Sequence, residues 1–148
     1  MSRLNFAAIA APVLFAFVSA SPVVAQNYPL TEGDYTEVSM VEIQPGGGYD
    51  YALQLAGQWR KSQEFAKAQG WIKDYKVMSN VHGRDGEPDL YLMVTMASMP
   101  SPAESERRAE AYRKFMATTD QQSVQQSGDR AKMRKLAGNM LLQELRFK

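Results

Sequence analysis

The feature that most constrains the fold is the segment Asp89–Ser98 (DLYLMVTMAS), which is apolar almost throughout. An apolar run of this length, bounded by turn-forming residues, is typical of a strand with both of its faces covered. The preceding residues 82–88 (HGRDGEP) have the composition of a turn. We therefore expect residues 89–98 to form a central strand of a sheet.

Three further extended segments and two helical ones accompany this strand. Residues 34–44 are rich in β-branched and aromatic residues and end at Pro45-Gly46-Gly47-Gly48, which we interpret as a flexible connection. Residues 49–69 have apolar positions at helical spacing, and Gly70 suits a left-handed helix end. With strands 1 and 3 central, the predicted strands are 34–44, 71–81, 89–98 and 140–147, and the predicted main helices are 49–69 and 102–118.

The sequence around the second helix completes the fold. Ser101-Pro102-Ala103-Glu104 has the spacing of a capping box at its start. The polar residues 119–138, broken at Ser127-Gly128, predict a second short helix that ends near Gly138. The order β-α-β-β-α-β is the ferredoxin-like split βαβ arrangement, an α+β fold with a four-stranded antiparallel sheet and helices on one face.

Residues 1–25 have the pattern of a signal peptide. Arg3 is their only charge, an apolar run extends from Leu4 to Val18, and Val23 and Ala25 occupy the two positions that signal peptidase recognises. This pattern predicts an exported protein, periplasmic or secreted.

The alternative interpretation of this segment is an uncleaved membrane anchor. Pro12 interrupts the apolar run, and the run is shorter than the ~20 residues that a spanning helix needs. We therefore expect no stable membrane insertion after cleavage. The mature chain would begin at Gln26, with a leader segment at 26–33 and a single domain at 34–148.

Composition argues against several classes of partner and site. The chain has 17 basic and 16 acidic residues, so removal of Arg3 leaves 16 of each, whereas nucleic-acid binding usually requires a strongly basic face. With no cysteine and one histidine, the usual metal-ligand clusters are missing. We predict no nucleic-acid partner, no metal and no cofactor. Basic residues are more frequent than acidic ones in 101–148, which indicates pairing with the acidic first half or a basic binding surface.

The predicted strand 3 is apolar on both sides. One side carries Leu90 and Leu92, and the other carries Tyr91, Met93 and Thr95. Only one side can face the helices, and an apolar sheet face without a helix over it usually belongs to an interface. The simplest cover is a second copy of the sheet related by a two-fold axis. We expect a homodimer through the face that carries Tyr91, Met93 and Thr95.

At this point the chain resembles a known family. The element order, the Pro45-Gly46 pair that ends strand 1, and Gly70 before Trp71–Val77 (WIKDYKV) are similar to the dimeric α/β-barrel superfamily. That superfamily includes the antibiotic-biosynthesis monooxygenase-like and NIPSNAP-like domains. The resemblance covers residues 34–148 and implies two sheets packed face to face, with a cleft between each sheet and its helices.

The resemblance implies several activities and selects none of them. Members include haem-degrading and quinone-forming oxygenases, isomerases and decarboxylases. The haem-degrading members use a His with an Asn and a Trp around the haem. Residues of these types in this chain are His82, Asn80, Trp59 and Trp71.

His82 and Glu37 are the candidate catalytic residues. A lone histidine suits general-base catalysis or axial haem ligation, and the alternative is a solvated position in a turn. Glu37, like Glu42 and Asp74, lies in a predicted strand. A carboxylate that faces a closed barrel would become a base with a raised pKa. The alternative is an exposed edge or a salt bridge.

Aromatic and methionine side chains are the candidate ligand-binding residues, because they suit a flat or apolar ligand. The alternative is that they form the core or cross-strand pairs. The candidates are Tyr35, Trp59, Tyr75, Tyr91 and Met93. Two functions follow: an exported homodimer that binds a small, mostly apolar ligand, or a small cofactor-independent or haem-dependent monooxygenase or isomerase of the barrel type.

Overall fold

The computed structural model describes residues 28–148 and has an α+β fold. The predicted signal peptide lies outside the described residues. In chain order the elements are β1 (Leu30–Ile43), α1 (Gly48–Gln54), a π-helical turn (Leu55–Trp59), α2 (Arg60–Ala68), β2 (Asp74–Ser79), β3 (Leu90–Met96), α3 (Pro102–Met116), α4 (Asp120–Ala131) and β4 (Arg134–Phe147). Segments α1, the π-helical turn and α2 run on without a break, and we call them together the long helix.

The four strands form one antiparallel sheet in the order β2-β3-β1-β4. This order is consistent with a ferredoxin-like fold, and it confirms that β1 and β3 are the central strands. β1 begins at Leu30, so residues 30–33 of the predicted leader extend the sheet, and Leu30 pairs with Phe147 of β4. Across the part of the chain that the structure describes, no helix is long and apolar enough to cross a bilayer.

Gly70 has the left-handed conformation that the sequence predicted, with a φ of 70°. Its N–H donates to the carbonyl of Lys67 at 3.0 Å, and the N–H of Trp71 donates to the carbonyl of Ala66 at 2.9 Å. These two bonds form a Schellman motif, which satisfies the last carbonyls of α2. The Trp71 ring then packs edge-on against Phe65, with ring centroids 5.2 Å apart, and the chain turns into β2.

The glycines between β1 and α1, which the sequence predicted to be a flexible connection, approach the backbone of Met133 closely. Gly46 has a φ of 79°, which favours glycine. A Cβ on Gly47 would lie 2.5 Å from the carbonyl oxygen of Met133. The N–H of Gln44 donates to that same oxygen at 2.9 Å. The junction is therefore held against the residue that precedes β4.

The C-terminal part differs most from the prediction. Ser101 caps α3, accepting a hydrogen bond from the N–H of Glu104 at 3.3 Å. A complete capping box opens α4, since Thr119 and Gln122 exchange side-chain to backbone bonds. The helix ends at Ala131, and Gly138 lies within β4 rather than at a helix end. β4 is longer than predicted because residues 134–138 pair with the end of β1.

The two sides of the sheet have different surroundings. On the helix side, Val41 and Leu92 pack with Tyr51 of α1 and Leu55 of the π-helical turn to form the core. We call the opposite side the open face. Three rows cross it, and they are Met78–Tyr91–Met40–Gly138, Lys76–Met93–Val38–Met140 and Asp74–Thr95–Thr36–Leu142.

Candidate functional site

A cavity of about 390 Å³ lies between the helix side of the sheet and the helices, and we call it the central cavity. Strands β1, β3 and β4 line one side, and α1, the π-helical turn, α2, α3 and α4 line the other. No Asp or Glu is among the described residues that line it. The lining residues are Ser39, Tyr51, Gln54, Gln58, Trp59, Ser62, Leu92, Tyr112, Thr118, Ser123, Gln126, Arg130, Arg134, Leu136 and Asn139.

Trp59 forms an aromatic wall of the central cavity and stands at the end of the π-helical turn. Its ring meets that of Tyr75 edge-on, with the centroids 5.4 Å apart and an angle of 81° between the planes. This geometry is a favourable aromatic contact and fixes the indole orientation. π-helical turns are rare within helices and are frequently found at functional sites.

Two arginines face the same cavity from consecutive elements. Arg130 lies in the last turn of α4, and Arg134 is the first residue of β4. A hydrogen bond of 3.0 Å from the Met133 N–H to the Arg130 carbonyl closes the turn between them. The Arg134 guanidinium lies 6.0 Å from the ring centroid of Tyr51, within reach of a cation–π interaction.

Amide side chains join the helices at the cavity. Gln58 of the π-helical turn donates through Nε2 to Oε1 of Gln126 on α4 at 2.8 Å. This bond connects residues 68 positions apart and holds α4 against the long helix. Gln54 and Asn139 add further uncharged polar groups to the lining. The cavity can therefore donate and accept hydrogen bonds and carries only positive charge.

Burial raises the pKa of Tyr51 above its ordinary value of 10.0, although the positive charges of Arg134 and Arg130 act in the opposite direction. A raised folded-state pKa gives stability that is complete below the pKa of the unfolded chain and is lost as the pH rises through the folded-state value. Tyr51→Phe should therefore reduce the loss of unfolding free energy above about pH 10. Urea unfolding between neutral pH and pH 11 measures this loss.

The matched control for this prediction is Tyr49→Phe, because Tyr49 lies two residues away and is 75% exposed. Tyr49→Phe should keep the wild-type alkaline profile. An unchanged alkaline profile in Tyr51→Phe would contradict the role assigned to the buried hydroxyl.

Two other concave surfaces are lined by residues that the sequence predicted to bind a ligand. An apolar groove of about 630 Å³ lies between the long helix and β2, and Trp59 and Tyr75 are among its lining residues. A groove of about 370 Å³ lies on the open face, where Tyr91 and Met93 are among the lining residues. The indole of Trp59 separates the first of these grooves from the central cavity, since it lines both.

The structure distributes the predicted ligand-binding residues over both sides of the sheet. Trp59 lines the central cavity and Tyr75 lines the groove beside it. Tyr91 and Met93 belong to the open face. Tyr35 lies on β1, paired with Met96 and Gln143, and lines none of the three concave surfaces described here.

The predicted catalytic residues lie apart from the central cavity. His82 is exposed in the turn between β2 and β3, and Glu37 is exposed on β1. Asn80 donates a hydrogen bond of 3.3 Å to Glu87 in that same turn, whereas Trp71 packs against α2. The residue types that resemble a haem site are therefore spread over separate surfaces. Among the described residues, no cluster of His, Asp and Glu could hold a metal ion.

Sequence reasoning missed Arg130, Arg134, Gln58 and Gln126. The excess of basic residues in 101–148 was the available indication of a basic binding surface. The two arginines converge because α4 ends at Ala131 and β4 begins at Arg134. The sequence predicted a later helix end and a later strand start.

No family model, curated protein or solved structure matches this chain. The chemistry of the central cavity must therefore carry the functional argument.

Proposed function

We propose that the protein is a small-molecule binding protein whose central cavity holds a ligand with a flat, mostly apolar body. The observation that carries this proposal is the cavity itself, about 390 Å³ between sheet and helices, with Trp59, Tyr51 and Tyr112 in its walls. Small-molecule sites commonly have volumes of ~300–1,000 Å³, aromatic walls and a few polar groups that orient the ligand. The central cavity has this volume and these aromatic walls, and ten of its fifteen lining residues are polar, so a ligand with an aromatic body would also meet many hydrogen-bonding groups there.

Binding is favoured over catalysis by the groups that the cavity offers. General acid–base catalysis needs a positioned titratable side chain, most often His, Asp or Glu, within reach of the reacting atoms. The described lining has hydroxyl, amide and guanidinium groups but no His, Asp or Glu. His82 and Glu37 are both exposed and outside the cavity. The oxygenase or isomerase alternative therefore gains no support from this geometry.

Tryptophan fluorescence tests this proposal, because the chain has two tryptophans in different surroundings. Trp71→Phe leaves Trp59 as the only indole, in the wall shared by the central cavity and the apolar groove. We expect 4-nitrobenzamide, a flat and neutral quencher, to give saturable quenching of Trp59. The aromatic ring would displace water from the cavity and stack near the indole. Adding Ala52→Gln, which changes the lining of the groove alone, should leave this quenching unchanged.

The matched control is Trp59→Phe, which leaves only Trp71, packed on Phe65 outside the cavity. Its emission should respond to 4-nitrobenzamide only by weak, non-saturating collisional quenching. Equal, non-saturating quenching of both variants would contradict the proposed function.

We further propose that two copies associate through the open face. Met78, Met140 and Leu142 are 52%, 39% and 47% exposed there, which is costly for a contiguous apolar surface. At its β2 edge, the Asp74 carboxylate is already bound by Lys67 of α2 at 3.1 Å. A two-fold axis would place the exposed apolar side chains of one open face against those of the other, which favours a second copy as the cover.

Export is the third part of the proposal, and it rests on residues 1–25. Expression in a secreting host should yield a chain that begins at Gln26, because signal peptidase cleaves after small residues at the positions of Val23 and Ala25. Intact-mass measurement of the purified protein checks this. An intact N-terminus in the membrane fraction would contradict it.

A further inference from the structure

We propose that the ligand of the central cavity is an aromatic carboxylate, whose carboxylate group is bound by Arg130 and Arg134. This inference rests on the proposed function, because it names the class of ligand that the same cavity takes. Both arginines line the cavity, and they come from opposite ends of one short turn between α4 and β4.

Neither arginine has a carboxylate partner among residues 28–148. The arginines that form ion pairs in this part of the chain are Arg84, Arg107, Arg108, Arg113 and Arg146, and they do not include Arg130 or Arg134. Asp129 is the acid nearest in sequence, and Lys132 binds its carboxylate at 2.8 Å. The two guanidinium groups therefore bring uncompensated positive charge to a cavity that has no acidic lining residue.

The burial of this charge makes an anionic ligand favourable. Arg130 and Arg134 are both half-buried, and the Nε of Arg134 is buried without a hydrogen-bond partner among the described residues. An unpaired charge that is partly removed from water is costly. A bound anion offsets that cost, and a carboxylate matches the planar fork of a guanidinium with two parallel hydrogen bonds.

The aromatic and apolar side chains of the lining favour an aromatic body over a free inorganic anion. Trp59, Tyr51 and Leu92 line the same cavity as the arginines. An aromatic acid can place its ring against these side chains while its carboxylate meets the guanidinium groups. Inorganic phosphate would satisfy the arginines and leave the aromatic walls in contact with water.

The test compares two ligands of nearly the same shape in the Trp71→Phe protein. 4-Nitrobenzoate is charged and 4-nitrobenzamide is neutral. We expect the carboxylate to bind at least about tenfold more tightly, because hydrogen bonds to a charged group are roughly twice as strong as neutral ones. This preference should decrease as salt is added. Equal affinity for the two probes would overturn the inference and leave the proposed function standing, whereas saturable binding of neither would refute both.

Variants assign the preference to the two arginines. Arg134→Gln and Arg130→Gln, made in the Trp71→Phe protein, should each lose most of the carboxylate preference while binding of the amide persists. Arg113→Gln is the matched control, because Arg113 pairs with Asp120 at 3.4 Å and lies outside the cavity lining. It should retain the full preference. Unchanged preference in both cavity variants would overturn the assignment.

Two further measurements keep the test decisive. Circular dichroism establishes that each variant is folded. The ratio of the affinities for 4-nitrobenzoate and 4-nitrobenzamide is measured in the Trp71→Phe protein itself, so it does not depend on the folding of an arginine variant. Inorganic phosphate is added as a competitor of 4-nitrobenzoate. We expect phosphate to compete weakly. If phosphate competed as strongly as benzoate does, the site would take any small anion, and the aromatic part of the proposal would be overturned.

Discussion

Replacing Met93 by lysine is expected to dissociate the proposed dimer into monomers. Met93 lies in the middle row of the open face, between Lys76 and Val38. In the proposed dimer a lysine at this position would be buried without a partner and next to a like charge, at a cost of about 3 kcal/mol or more. The dissociation constant should rise about a hundredfold or more.

Sedimentation velocity over a range of concentrations measures this change. Val124→Lys is the matched control, since it adds the same charge at a 73%-exposed position on α4, away from the open face. It should leave association unchanged. A wild-type protein that stays monomeric at high concentration would refute the proposed dimer, whatever the variant does.

Gly47→Ala is expected to destabilise the fold by about 1–3 kcal/mol. The new Cβ would lie 2.5 Å from the carbonyl oxygen and 2.8 Å from the Cα of Met133. Both are backbone atoms, so relief requires the start of β4 to move away from the end of β1. The bond from the Gln44 N–H to Met133 would be strained by the same movement. Thermal unfolding should show a Tm lower by several degrees.

Gly48→Ala provides the comparison for this prediction. Its Cβ would meet only Cγ2 of Ile43, at 3.8 Å, and alanine is the better helix former at the first residue of α1. Its stability should stay within about 0.5 kcal/mol of the wild type. Equal Tm values for the two variants would contradict the close approach at Gly47.

The elements with strong local patterns were predictable from sequence. The unbroken apolar run at 89–98 identified a central strand, and Gly70 identified the end of the first long helix. The β4 boundary was not predictable, because residues 134–139 (RKLAGN) lack strand character. They are extended because β1 offers them a partner, and Gly138 lies opposite Met40 next to an irregularity of that pairing. Pairing in the sheet overrides local preference in such a segment.

The candidate site was less accessible to sequence reasoning than the fold. Trp59 was identified as a ligand-binding candidate, and the structure places it in a cavity wall. The arginines were not identified, since their role depends on two elements meeting over the sheet. Arg130 and Arg134 are also separated by Lys132, which is engaged by Asp129. Only the three-dimensional arrangement separates the basic residues with partners from those that face the cavity.

The long pairing of β1 with β4 has a consequence for the rate of folding. Thr31 and Arg146 are 115 positions apart and are joined by a hydrogen bond of 3.4 Å, and the N–H of Lys148 donates to the carbonyl of Pro29 at 3.0 Å. Contacts at such separation must wait for nearly the whole domain to be available, and they slow the search for the native state. A nascent chain would therefore remain without its last strand until synthesis of the domain is almost finished. In the proposed export, a translocase that threads unfolded polypeptide would have time to engage it.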